Sequence, residues 1–252
     1  MLLYHYTTIS ALIKIITRRE LWASDCQYLN DGTELKYAEE LFFAEFEKLK
    51  LPELLDGDYN IAWRNSNYWR MFVTCFCEDG DLLSQWRGYG TDHGYALGFD
   101  SEALCASGIG ELIKVQYGID NPASYFAKEL ELASTGTAHP GVHAYCLTGD
   151  LLPHLAKVKH PRFSEEREWR LMRKAEDATF EDTDIQIQYR PSMLGPIAYI
   201  VNKFPKESLR EVVVGPGAYA EVRKTAIESL LRRDGLFECY SRVRLSEIPL
   251  RS

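Results

Sequence analysis

The sequence of 252 residues has no long apolar run, no excess of positive charge and no CxxC pair of cysteines. No apolar run approaches the roughly 20 residues needed to cross a bilayer, so we expect no membrane-spanning segment. The start, Met1–His5, lacks the charged and apolar stretches of a signal peptide, which predicts a cytoplasmic protein. With 37 acidic and 29 basic residues, the net charge of −8 disfavours non-specific nucleic-acid binding but is compatible with a local basic groove.

The six cysteines are scattered along the chain, without the spacing of a zinc site. Cys75 and Cys77 alternate in a predicted strand, so both point to one face of it. Two neighbours on one strand are poorly placed for a disulfide and too few for zinc. We therefore expect reduced, mostly buried thiols and no metal ion.

Apolar residues make up 46% of the chain and aromatic residues 12%. This content excludes a disordered chain, and the length suits one large domain or one domain with an insertion. The strands, with helices grouped mostly early and in an insertion, predict an α+β fold and not an alternating doubly wound sheet. We predict a single domain over 1–252 with a helical insertion at about 122–157.

Periodicity and turn residues predict the following elements. Strands are expected at 2–6, 21–24, 72–77, 95–99, 112–117, from 169, near 184–190, and at 197–202, 210–214 and 237–243. Helices are expected at 8–19, 33–50, 61–70, within 80–89, in two parts of 122–157, and at 218–234.

The first candidate site is Tyr4–Thr8, where the first strand enters the first helix. His5 can present its ring from the strand, and the following backbone N–H groups are free to bind an amide, a ribose hydroxyl or a phosphate. The alternative is a buried histidine bonded to a neighbouring carbonyl group, with threonines capping the helix.

The second candidate is the polar segment after Trp22, which contains Ser24, Asn30, Asp31 and Glu34. Asn30 and Asp31 are explained by a turn and a helix cap. Capping does not explain the clustering of polar groups, which is typical of a binding loop. Both interpretations stay open.

The third candidate is the pair Trp86 and Tyr89, three residues apart on a predicted short helix, where the two share a face. Such a face can stack a planar ring, or it can belong to the core. By contrast, Gly215-Pro216-Gly217 lacks the spacing of a nucleotide-binding loop, which favours a tight strand-to-helix turn.

The fourth candidate is the segment 166–170, which contains Glu166, Arg167, Glu168 and Arg170. In a strand the two glutamates share a face, and their repulsion raises the pKa of one of them. The alternative is the solvated start of a strand.

Nearly the whole chain resembles a bacterial family of unknown function. The features that carry this resemblance are Leu3–Thr7, Leu21–Ser24, Asn30-Asp31 with Glu34, the Trp86/Tyr89 segment before Gly98–Asp100, and Glu166–Leu171.

A second resemblance is to the ADP-ribosyltransferase superfamily. His5 and Thr7 on the first strand, helix 8–19, Ser24 and the late Glu166-x-Glu168 are similar to the ordered motifs of that superfamily. The second motif is placed either at Ser24 or at Trp86 with Tyr89. The resemblance implies a split β-sheet core with N-terminal helices and a helical insertion, and it implies NAD as substrate.

The resemblance also implies roles for single residues. Glu168 would stabilise the oxocarbenium-like ribose, and Glu166 would orient the acceptor or act as base. His5 would hold a ribose hydroxyl or the carboxamide group. Tyr6 would stack the nicotinamide together with Tyr89 or Trp86, and Arg167 or Arg170 would offset the diphosphate charge or pair with the glutamates. The other NAD-binding residues implied are Thr7, Trp22, Ser24, Asn30, Asp31 and Glu34.

Three functions follow as hypotheses. The first is an ADP-ribosyltransferase or NAD glycohydrolase, expected as a toxin or phage-defence effector, with a protein or nucleic-acid acceptor and an antitoxin or immunity protein as partner. The second is a non-catalytic nucleotide-binding sensor. The third is a metal-dependent nuclease that uses Asp31, Glu34, Glu166 and Glu168.

Overall fold

A ten-stranded, mostly antiparallel β-sheet lies at the centre of the described part of the chain. The coordinates are a computed structural model that describes residues 1–29, 34–49, 69–89, 93–135, 149–176 and 185–249. The large antiparallel sheet with several helices agrees with the α+β prediction at this coarse level. No helix in these ranges is both long and apolar enough to cross a membrane.

The strands are β1 (Leu2–Thr7), β2 (Glu20–Asp25), β3 (Trp69–Cys77), β4 (Tyr95–Asp100), β5 (Glu111–Lys114), β6 (Gln116–Tyr117), β7 (Val158–Lys159), β8 (Glu168–Glu176), β9 (Gln188–Ser192), β10 (Gly195–Lys203), β11 (Leu209–Val214) and β12 (Val243–Leu245). The helices are α1 (Ile9–Arg18), α2 (Glu34–Lys48), α3 (Leu83–Tyr89), α4 (Ser101–Ala106), α5 (Pro122–Tyr125), α6 (Ala127–Thr135), α7 (149–155), α8 (Ala220–Arg233) and α9 (Phe237–Tyr240). Short 3₁₀ turns cover Cys26–Tyr28, Pro161–Glu166 and Lys206–Ser208.

The order of the strands across the sheet is β12-β11-β4-β1-β3-β2-β10-β9, and β8 and β5 continue from β3. The pair β11 and β12 is parallel, whereas the other pairs of this sheet are antiparallel. β6 and β7 form a separate two-stranded parallel sheet.

The sheet opens into a split along one edge of β3. On its other edge β3 pairs with β8 over its whole length. On the split edge, β3 pairs with β2 only through Val73 and Phe72, and with β1 only through Cys77. The intervening residues 74–76 have no ladder partner there, so β1 and β2 diverge and leave a gap between them.

Apolar side chains hold both faces of the sheet. Leu97 and Val212 pack in the same cluster as Leu12 of α1 and Leu231 of α8. Their strand neighbours Ala96 and Val213 point the other way and pack with Trp86 of α3. This alternation is what a sheet covered on both faces requires.

The helices α5, α6 and α7 lie between β6 and β7 in the chain, where the sequence predicts helices at 122–157. They pack on α2 through an apolar cluster that contains Phe42, Phe46, Phe126 and Leu151. Residues 136–148 of the predicted segment lie outside the described residues.

The described N-terminal half departs from the sequence prediction at two points. Thr8 is the N-cap residue of α1, but its side chain makes no capping hydrogen bond and its hydroxyl contacts Ser10. Trp69 and Arg70, predicted as the end of a helix, begin β3 because the long ladder with β8 overrides their local preference. The rest of that helix, 61–68, lies outside the described residues.

Two further strand predictions are wrong in part. The segment 112–117 is divided between β5 and β6, which belong to different sheets. The segment 237–243 forms the short helix α9, and the strand begins only at Val243, where the chain reaches β11. The turn at Gly215–Gly217 between β11 and α8 is confirmed.

Candidate functional site

A cavity of about 440 Å³ is lined by residues on both sides of the split between β1 and β2. This volume lies within the range of about 300–1,000 Å³ usual for small-molecule sites. The predicted site residues that line it are His5, Tyr6, Thr7, Trp22, Ser24, Tyr89, Glu168 and Arg170. Positions separated by up to about 160 residues in sequence therefore meet at one cavity.

His5 compensates for a hydrogen bond that the split removes. Its Nδ1 lies 3.0 Å from the carbonyl oxygen of Cys75, in the part of β3 that has no ladder partner on the split edge. Since a carbonyl group only accepts, Nδ1 carries the proton. Burial lowers the pKa of His5, so the ring is neutral at pH 7 and Nε2 is an acceptor. His5 therefore combines both sequence interpretations. Its ring is bonded to a neighbouring carbonyl group, and it also lines the cavity.

The split is closed on its other side by Thr74. Its hydroxyl donates to the carbonyl oxygen of Trp22 at 3.2 Å. Side chains of β1 and β3 thus satisfy backbone groups where the strands separate, as buried polar groups require. The split between β1 and β2 is therefore stabilised by hydrogen bonds from side chains to the backbone.

Glu168 is buried at the start of β8 and forms a bidentate ion pair with Arg170. Its Oε1 accepts from Nε of Arg170 at 2.7 Å, and its Oε2 accepts from Nη2 at 3.1 Å. Nη1 of Arg170 donates to the carbonyl oxygen of Ala156 at 2.8 Å. The backbone N–H of Glu168 donates to the hydroxyl of Tyr117 at 2.7 Å. The carboxylate is therefore held rigidly at the cavity wall.

Lys159 of β7 joins the two predicted glutamates. Its Nζ lies 2.6 Å from Oε2 of Glu166 and 3.0 Å from Oε2 of Glu168. A small adjoining cavity of about 80 Å³ is lined by Glu166 and shares His5 and Glu168 with the first. Two carboxylates and two cations thus form one cluster, in which the charges balance.

Burial alone raises the pKa of Glu168. Arg170, Lys159 and a hydrogen bond from Cys75 outweigh burial and hold the pKa at about 2. The sequence predicts that repulsion between Glu166 and Glu168 raises the pKa of one of them, and Glu168 is not that residue. Glu168 is a carboxylate at any pH near neutrality, and it is not a proton donor.

The β2 side of the cavity contains an aromatic stack. The rings of Trp22 and Tyr199 lie 4.3 Å apart at 28°, and Nζ of Lys14 lies 5.4 Å from the centre of the Trp22 ring. The hydroxyl of Ser24 accepts from Nη2 of Arg190 at 3.2 Å. Two cations that sequence patterns did not indicate therefore belong to this wall.

Two predicted site residues of known position line neither the first cavity nor the small adjoining one. Trp86 is buried, with its ring edge-on to Tyr6 at 4.7 Å and its Nε1 donating to Asp81 at 2.7 Å. Arg167 is half-exposed and pairs with Asp79 at 3.1 Å. The core alternative thus describes Trp86, whereas Tyr89 on the same helix lines the cavity.

Three predicted residues cannot be located at the cavity. Asn30 and Asp31 lie outside the described residues. Glu34 is the first residue of α2, and its side chain is likewise not described. In the described ranges, no group of three or more His, Cys, Asp or Glu side chains is arranged to hold a metal ion.

Sequence reasoning missed Lys159 and the site role of Cys75. β7 has only two residues, so no periodic pattern surrounds Lys159. The cysteines were expected to be mostly buried and without a site role, whereas Cys75 is partly exposed and donates to Glu168 at the cavity. Cys75 lies on the same face of the sheet as Glu168 and Arg170, and this follows only from the register that pairs Cys75 with Arg170.

Comparisons with known proteins give one finding about family. No curated protein and no solved structure matches the chain. None of the comparisons bears on the resemblance to the ADP-ribosyltransferases, which stays a prediction. Residues 85–171, about a third of the chain, match the family model described as Protein of unknown function (DUF2971). This segment contains Tyr89, Lys159, Glu168 and Arg170, and through it the chain is similar to an uncharacterised protein family, as the first resemblance predicts.

Proposed function

We propose that the chain is an ADP-ribosyltransferase-like enzyme that binds NAD in the cavity between β1 and β2 and breaks the bond between nicotinamide and ribose. One observation carries the proposal. His5 of β1, Ser24 of β2 and Glu168 of β8 line the same cavity at a split in the sheet. Their order along the chain is that of the ADP-ribosyltransferase motifs, and a divided sheet is what that fold needs.

The chemistry requires a negative charge near the ribose. When the C1′–N bond breaks, its electron pair leaves with neutral nicotinamide, and positive charge develops on the sugar. Glu168 is ionised at every pH near neutrality and can stabilise that charge. Water or an acceptor hydroxyl then adds to C1′, and its proton passes to Glu166 or to solvent.

The neutral His5 suits a binding role. Its Nδ1–H is engaged with the carbonyl group of Cys75, so Nε2 is left as an acceptor for a ribose hydroxyl or the carboxamide N–H. Tyr6 and Tyr89, both in the cavity wall, are the candidates for contact with the nicotinamide ring. Trp86 has no part in this contact because it packs inward on Tyr6 and does not line the cavity.

The ion pairs of Glu168 favour a second candidate function, a nucleotide-binding module without catalysis. Arg170 and Lys159 compensate the carboxylate charge, which weakens its action on a positive ribose. Binding of NAD without turnover would support this function. The nuclease hypothesis gains no support from Glu166 and Glu168, because Lys159 contacts both where a divalent ion would have to bind.

The test is incubation of the full chain with ribose-labelled NAD, alone and with protein, DNA and RNA acceptors. We expect release of nicotinamide or transfer of label, and a loss of at least about a hundredfold in Glu168→Gln. Glu165→Gln, an exposed neighbouring carboxylate, is the matched control and should keep full activity.

Ser24→Ala provides a second variant that leaves the ion-pair cluster intact, and calorimetry with NAD separates binding from turnover. Unchanged turnover in folded Glu168→Gln would refute the assigned role of the carboxylate. Failure of the wild-type chain both to bind and to consume NAD would refute the proposal as a whole.

A toxin or effector role follows from NAD consumption and is part of the proposal. Expression of the wild-type chain should arrest growth and lower cellular NAD, whereas expression of Glu168→Gln should not. An inhibitory partner protein is expected to relieve the arrest. Growth arrest by Glu168→Gln at equal protein level would contradict this role.

A further inference from the structure

On its β2 side the 440 Å³ cavity, called the first cavity below, adjoins a larger one of about 610 Å³, called the second cavity. Glu20 and Trp22 line both. Arg18 at the end of α1, Arg173 of β8 and Lys203 of β10 supply three cationic side chains to its wall. Glu20 is the one acidic residue in the described lining. In a chain with a net charge of −8, this is a local excess of positive charge.

The three cations form no ion pair with any acidic group among the residues that the structure describes. Arg18 and Lys203 are exposed, and Arg173 is half-buried. Arg18 alone could be explained by its position in the last turn of α1, where the helix dipole favours positive charge. That reason does not extend to Arg173 or Lys203, which lie in strands.

Positive charge continues from this cavity to the first one. Lys14 lies over Trp22, and Arg190 contacts Ser24 in the wall of the first cavity. Together with the three cations of the second cavity, Lys14 and Arg190 make five cationic side chains in the walls of two cavities that meet at Trp22. A ligand with several anionic groups along its length would contact them in succession.

We propose that the second cavity holds the phosphates of a single-stranded nucleic acid and presents it as acceptor to the first cavity. The inference rests on the proposed function in naming the strand an acceptor. The guanidinium groups of Arg18 and Arg173 can each bind a phosphate through two hydrogen bonds, which favours phosphate over carboxylate ligands. A concave site on the scale of a nucleotide admits a flexible strand more readily than a duplex.

The test is binding of a short labelled single-stranded DNA or RNA oligonucleotide to the full chain, measured by fluorescence anisotropy without NAD. Three phosphate contacts at ~0.7 counterion each predict that affinity falls about twentyfold between 50 and 200 mM salt. The variant Arg18→Gln/Arg173→Gln/Lys203→Gln should lose most of the binding and most of this salt dependence.

The matched control Arg87→Gln/Arg242→Gln/Lys206→Gln removes the same charge from exposed positions outside both cavities. It should bind as the wild type does, and thermal unfolding should show that both variants are folded. Equal losses in the two variants, no binding by the wild type, or tighter binding of a polyglutamate peptide or a duplex would overturn the inference. Since this assay uses neither NAD nor turnover, its failure is distinct from failure of the proposed enzyme activity.

Discussion

The pairing of Glu168 with Arg170 and Lys159 makes a quantitative prediction about stability. In the folded chain the pKa of Glu168 is about 2, against its ordinary value of 4.5. Each pH unit between two such values corresponds to ~1.4 kcal/mol, so the native carboxylate contributes ~3 kcal/mol to the free energy of unfolding at neutral pH.

The sign of the pH dependence follows from which state takes up the proton first. The unfolded chain protonates this carboxyl group as the pH falls through 4.5, while the folded chain keeps it ionised to about 2. The stabilisation is therefore present above pH 4.5 and is lost progressively below it. Between pH 5 and pH 3 the loss amounts to ~2 kcal/mol.

The assay is urea unfolding of wild type and Glu168→Gln, followed by tryptophan fluorescence at several pH values. At pH 7 the variant should be less stable by ~3–5 kcal/mol, because Arg170 and Lys159 lose a buried partner. The difference from wild type should shrink by ~2 kcal/mol on going from pH 5 to pH 3. The exposed Glu165→Gln should show neither effect.

A further variant guards against a Glu168→Gln chain too unstable to measure. Glu168→Gln/Arg170→Met removes both charges of the bidentate pair and should recover a large part of the lost stability. Unfolding free energies of wild type and Glu168→Gln that run parallel from pH 5 to pH 3 would refute the described ion pairing. So would a double variant that is less stable than Glu168→Gln.

Two further predictions concern packing and thiol reactivity. A Cβ atom at Gly80 would lie 2.5 Å from the ring of Tyr4, so Gly80→Ala should lower the free energy of unfolding in urea by ~1–3 kcal/mol. A Cβ atom at Gly88 in α3 would meet nothing within 4 Å, so Gly88→Ala should raise it by ~0.5–1 kcal/mol. Similar values for the two variants would contradict the described contact. Iodoacetamide at pH 8 should alkylate the exposed Cys105 at least about a hundredfold faster than Cys77, because burial raises the pKa of the Cys77 thiol to about 11. Peptide mapping by mass spectrometry measures both rates, and faster modification of Cys77 would be the contrary result.

Local patterns carried most of the element predictions. Leu12 and Ile16 lie at helical spacing and are buried in α1, and the apolar residues of β4 and β11 mark strands. Such periodicity reflects one buried face per element, which a sequence displays directly. Predictions failed where pairing partners decided the outcome, as at Trp69 in the ladder with β8 and at the end of the chain around α9.

Most residues of the described cavity wall that carry candidate roles could be named from the sequence, but their arrangement could not. The resemblance to the ADP-ribosyltransferases named His5, Ser24 and Glu168 as site residues, and all three line one cavity, while their roles stay predictions. The sequence left open whether Trp86 or Tyr89 faces that cavity, because a shared helix face does not show which of the two side chains is buried in the core. Packing of Trp86 on Tyr6 decided this.

The sequence by itself determined the nature of the elements, the absence of a long apolar segment and the candidate residues, because these depend on neighbours within a few positions. The tertiary structure alone decided that β1 and β2 separate along β3 and that Lys159 lies between Glu166 and Glu168. It also decided that Arg18, Arg173 and Lys203 line one cavity of a chain that is acidic in sum. These features depend on contacts between residues tens to more than a hundred positions apart. Strand pairing and register bring these residues together, and no local pattern encodes pairing or register.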